Sequence, residues 1–118
     1  MTLATFVAFI LYFINPRKLI QDSFRGHLRI CNVNLSKNIT DEIAEGLFQT
    51  YTEKKKINSA FGRGMKSNLD FMSNLVMGEA YYIKQLLDKN TKEIPFSRHE
   101  KTIKVLEHAG ITLYGIKD

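Results

Sequence analysis

Proline occurs twice, cysteine once and tryptophan never in these 118 residues, and glycine only seven times. So little proline and glycine excludes collagen-like and low-complexity chains, while a single thiol excludes a disulfide scaffold and the common cysteine-rich zinc sites. A lone cysteine suits a reducing compartment. Charge is absent from one end, because no charged side chain precedes Arg17. A secretory leader needs cations ahead of its apolar stretch, so a cleaved leader is not expected. With 44% hydrophobic and 25% charged residues, the chain has the make-up and length of one folded domain.

What is present is unevenly spread. Of the first 20 residues 14 are hydrophobic, and residues 3–14 read LATFVAFILYFI. A helix over residues 1–14 spans ~21 Å, less than the ~30 Å of a hydrocarbon core. Yet Arg17 and Lys18 follow it directly, as cations follow a membrane anchor on its cytoplasmic side. The expectation is a hydrophobic anchor helix over 1–15 and residues 17–118 on the cytoplasmic side; the alternative is a buried helix in a soluble cytoplasmic protein. Asn15-Pro16 then restarts a helix, with a capping side chain before a proline at the first helical position. Leu19, Ile20, Ser23, Phe24, His27 and Leu28 share one face of it, and Arg17, Lys18 and Arg25 lie elsewhere. Residues 16–27 are thus expected as a basic amphipathic juxtamembrane segment on anionic lipid.

Residues 28–118 are expected to form a small domain, mainly α and α+β at the margin. LRICNVNL at 28–35 alternates loosely and suggests a short strand. Thr40 resembles an N-cap, with Asp41 and Glu42 in the first turn and Ile43, Leu47, Phe48 and Tyr51 on the apolar face of a helix over 41–57. Gly62 and Gly64 interrupt the chain. Ser67 and Asp70 then have the spacing of a capping box for a helix over 68–89, whose apolar arc includes Phe71, Met72, Leu75, Val76, Ala80, Tyr82, Ile83 and Leu86. Ser97-Arg98-His99-Glu100 is a further capping box, for a helix over 98–109 that Gly110 ends, with Ile111 against Leu106. The closing ITLYGI alternates as a second strand.

Charge is segregated too: residues 1–40 carry +4, residues 41–53 carry −4, residues 54–69 carry +5, and the rest sum to zero. Lys54, Lys55, Lys56, Arg63 and Lys66 lie in an acid-free stretch with Phe61, suited to anionic lipid or nucleic-acid phosphate. Complete catalytic motifs are missing. GRGMKS lacks the spacing of a phosphate-binding loop, and His99-Glu100 opens a zinc-protease pattern that Ile103 fails to complete. His27 and Cys31 could meet only if a helix ran through both. No metal site and no cofactor are expected. One polar residue is out of pattern: Glu79 falls amid the apolar arc of the 68–89 helix. A carboxylate there requires a partner, and Arg63, Lys66, a histidine or a tyrosine hydroxyl are the candidates.

These features together lead to the expectation of a small membrane-anchored, non-enzymatic protein whose basic domain binds a protein partner, with Arg17, Lys18, Arg25 and the 54–66 cations on anionic lipid. The alternative is a soluble nucleic-acid-binding protein or small ribonucleoprotein subunit using residues 54–66.

Overall fold

A computed structural model describes residues 15–88 and 99–114, which form four helices: α1 (Pro16–Ile30), α2 (Lys37–Ala60), α3 (Met65–Leu87) and α4 (Glu100–His108). α1, α2 and α3 pack against one another, and α4 packs on α2. The core gathers side chains at helical spacing from each. Ile20, Phe24 and Leu28 come from α1, and Ile43, Ala44, Leu47 and Tyr51 from α2. Met72, Val76, Ala80, Ile83 and Leu86 come from α3, and Ile103 and Leu106 from α4. At about 1.5–3 kcal/mol for each large side chain removed from water, this shared core is what holds the helices together.

The start of α1 follows the cap read from the sequence: the Asn15 side chain accepts from the Lys18 amide at 3.1 Å, with Pro16 at the first helical position. Its apolar face is covered by α2 and α3, with Ile20, Phe24 and Leu28 buried. α2 begins three residues before the expected cap, because Ser36 caps it and the Thr40 hydroxyl donates back to the Ser36 carbonyl at 2.9 Å. α3 begins at Met65 without a side-chain cap. A buried amide pair, Asn58 Nδ2 donating to Asn68 Oδ1 at 2.8 Å, clasps the α2–α3 hairpin within the span of the expected Ser67–Asp70 box.

Three helices end the same way. Asn32, Gly62 and Gly110 each have φ between 59° and 76°. The amide of each bonds two residues before the C-cap, and the next amide bonds three before it: Val33 to Leu28, Arg63 to Asn58 and Ile111 to Leu106, at 2.8–3.1 Å. These are Schellman ends, in which a left-handed residue satisfies the last carbonyls.

The expected mixture of helix with up to two strands is corrected: no strand occurs among the described residues. Residues 28–30 belong to α1, because the four-residue spacing of Ile20, Phe24 and Leu28 outweighs the loose alternation, and Cys31-Asn32 is the turn that ends the helix. Ile111 and Leu113 pack partly against the core in an irregular strap, fixed by the Tyr114 amide donating to the Leu86 carbonyl at 2.8 Å. No described helix is long and apolar enough to cross a membrane, so a transmembrane helix is not among the elements found. Apart from Asn15, the anchor expected at 1–15 lies outside the described residues, as do Ser97, Arg98 and the last residues of the expected second strand.

Candidate functional site

Two arrangements of polar side chains stand out, one buried and one exposed. The buried one is built around Glu79 in the middle of α3, which is 5% exposed. Both carboxylate oxygens are engaged. The Thr102 hydroxyl donates to Oε1 at 2.6 Å, and His99 Nδ1 meets Oε2 at 2.7 Å. The His99 ring lies flat on Tyr82, with centroids 3.7 Å apart and 15° between planes. Burial, and secondarily the negative charge of Glu79, push the Tyr82 phenol above its ordinary range.

Local sequence explains how these groups meet. Glu79 and Tyr82 are three apart on α3, so they share a face. His99 is the N-cap of α4 and makes no side-chain cap bond; its ring turns to Glu79 instead. Thr102, three residues on, lies on the same side of the first turn. A carboxylate at Nδ1 fixes the neutral imidazole as the Nδ1–H tautomer, leaving Nε2 as an acceptor. Nε2 has no partner among the described residues. The His99 ring borders a cleft of about 400 Å³ between α2, α3 and α4, walled by Leu47, Phe71 and Leu75. Hydroxyls in that wall come from Thr50 and Thr102, and the Thr102 proton is committed to Glu79. The arrangement can hold a hydrogen-bond donor; it does not assemble an activated nucleophile among the described residues. No group of three or more metal-ligating side chains occurs among them either.

The exposed arrangement is the turn joining α2 to α3. Phe61 at the C-cap of α2 is 76% exposed, and Ile57, one turn earlier, is 49% exposed. Lys56, Arg63 and Lys66 surround them, all exposed. Lys54 and Lys55 are half-buried, with the Lys54 ammonium 5.9 Å from the centre of the Phe71 ring. The cations of α1 are differently placed. Arg17 forms a two-pronged pair with Glu45, at 2.9 and 3.1 Å, and stacks 4.4 Å over Phe48. Lys18 and Arg25 both pair with Asp22, at 3.6 and 3.0 Å. Acids therefore offset the charge of Arg17, Lys18 and Arg25, whereas Lys56, Arg63 and Lys66 form no ion pair among the described residues.

Arg63 and Lys66, first candidates as Glu79 partners, lie at the start of α3, more than three helical turns before Glu79. His99, Thr102 and Tyr82 supply its surroundings, and helical periodicity could not pair them with it: His99 and Thr102 lie 20 and 23 residues away. A detectable signal was Thr102 itself, a hydroxyl on the apolar face of a short helix. Cys31 is a half-buried thiol at the end of α1, where the helix stops. Compared with known protein families, curated proteins and solved structures, the chain matches none.

Proposed function

We propose that the protein is a non-enzymatic binding module that docks on an anionic lipid surface through the turn between α2 and α3. The observation that carries this is the pair Ile57 and Phe61, exposed one helical turn apart amid Lys56, Arg63 and Lys66, with no acid in the sequence from residue 54 to residue 69. Apolar side chains at a protruding turn enter the boundary between headgroups and acyl chains, and surrounding cations meet the anionic headgroups. The anionic leaflet of a cell membrane faces the cytoplasm, so docking of this kind belongs to that side.

The test is sedimentation of the full chain with phosphatidylserine-containing vesicles and with phosphatidylcholine vesicles. Binding should prefer the anionic vesicles. At about 1 kcal/mol for each cation near the surface, replacing Lys56, Arg63 and Lys66 by Gln should weaken it roughly 100-fold. Ile57→Ser with Phe61→Ser should weaken it on both. Binding unchanged by either set of substitutions overturns the proposal. So does tighter binding to a single-stranded oligonucleotide than to vesicles, since Phe61 among cations is also the pattern of a base-stacking platform.

A further inference from the structure

The chain carries a formal charge of +5, yet the cleft beside His99 has the opposite sign. Among the described residues, Glu42, Glu79 and Glu100 line it against a single cation, Lys101. The three carboxylates are not equivalent. Glu79 is saturated by Thr102 and His99, and Glu100 is bridged to Lys104 at 3.1 Å. Glu42 on α2 is exposed and has no partner among the described residues. With His99 in its neutral Nδ1–H form, two acceptors therefore belong to residues lining the cleft, the Glu42 carboxylate and His99 Nε2, beside an apolar wall of Leu47, Phe71 and Leu75. Lys54, whose ammonium stands 5.9 Å from the Phe71 ring, is a further cation nearby and does not line the cleft.

We propose that this cleft binds a small organic ammonium with an apolar, ring-sized body, of the arylalkylamine class. Its N–H donors meet the Glu42 carboxylate and His99 Nε2, and its apolar body packs on Phe71 and Leu75. The volume of about 400 Å³ falls in the range of small-molecule sites. Glu79 is a positioning residue here. By accepting from Nδ1 it keeps the Nε2 lone pair available, and with Thr102 it holds the ring in place. An anionic ligand would meet net negative charge and two acceptors, so the site selects against it.

The experiment titrates phenethylammonium into the full chain and follows the His99 ring signals by NMR, with phenylacetate and 2-phenylethanol as the anionic and neutral counterparts. The expected result is saturable binding of the ammonium, weakened by salt, with weaker binding of the alcohol and none of the acid. Glu42→Gln should weaken ammonium binding about fivefold, the scale of one partly exposed ion pair. Gly46 lies in the cleft wall with nothing within 4 Å of where its Cβ would stand. Gly46→Leu therefore extends a side chain into the empty volume and should abolish binding while helicity and thermal unfolding are retained. No response of the His99 signals, equal binding of phenylacetate, or unchanged binding in the folded Gly46→Leu variant overturns the proposal. Unchanged binding in Glu42→Gln overturns it as well, and does so even if Gly46→Leu fails to fold.

Discussion

At the scale of single residues, the Glu79 cluster is held by hydrogen bonds whose loss would leave a buried carboxylate short of a donor. Thr102→Val keeps the shape and removes the hydroxyl, so it should cost about 1–3 kcal/mol in urea unfolding, with Thr102→Ser close to wild type. A loss no greater than that of an exposed threonine would show that the 2.6 Å contact contributes nothing. Glu79→Gln can still accept from Thr102 and can donate to His99 in its other tautomer, so it should be milder than Glu79→Ala. Tyr82 supplies a pH dependence. Its phenol is pushed above the ordinary value of about 10, so folding favours the neutral form. That contribution is complete at pH values below about 10 and is lost as pH rises through the raised pKa of the folded state. Tyr82→Phe should remove this part of the alkaline loss of stability, measured as unfolding free energy against pH. An alkaline limb identical in the variant would assign that loss to other groups. The sequence exposed Glu79 as anomalous because a carboxylate interrupts an apolar arc. It offered a histidine as a partner, a place His99 fills, but neither which histidine nor Thr102, because pairing across helices depends on how α4 lies on α2, which no local pattern encodes.

At the scale of helices, end signals were legible where they are chemical and illegible where packing decides. Asn15-Pro16 acts as its residue types dictate, and Gly110 ends α4 with the Ile111 amide on the Leu106 carbonyl. Ser67 and Asp70 have the right spacing for a cap, yet the Gly62 turn and the Asn58–Asn68 clasp start α3 earlier. Residues 28–35 misled because alternation over so few positions is weak beside a core-facing spacing of four. The same glycine substitution should have opposite signs at different places in these helices. Gly62→Ala and Gly110→Ala force a Cβ into left-handed backbone, with φ of 72° and 76°, and each should cost about 1–2 kcal/mol. Gly46→Ala lies inside α2 with open space at its Cβ, and should gain about 0.5–1 kcal/mol. Urea midpoints decide this, and a destabilising Gly46→Ala would mean that the cleft wall tolerates no added atom.

At the scale of the whole molecule, the four helices are not equally anchored. α1, α2 and α3 each pack on the other two, whereas α4, with 9 residues, packs on α2 and reaches α3 through the Glu79 bonds. A helix of that length is not stable alone, so α4 depends on what it touches. Ile103 and Leu106 give it an apolar hold, and the Tyr114 amide on the Leu86 carbonyl ties down the strap that follows. The least costly partial opening is therefore release of α4 with this strap, while the three-helix unit persists. Native-state hydrogen exchange should show the amides of residues 103–108 exchanging at a lower opening free energy than core amides of α1, α2 and α3, such as Phe24, Leu47 and Ile83. Glu79→Ala should widen that gap, speeding exchange across α4 more than across the core amides of α1 and α2. If α4 instead exchanges only with global unfolding, and Glu79→Ala lowers every helix equally, then the four helices form one cooperative unit and Glu79 secures the whole bundle rather than its last helix.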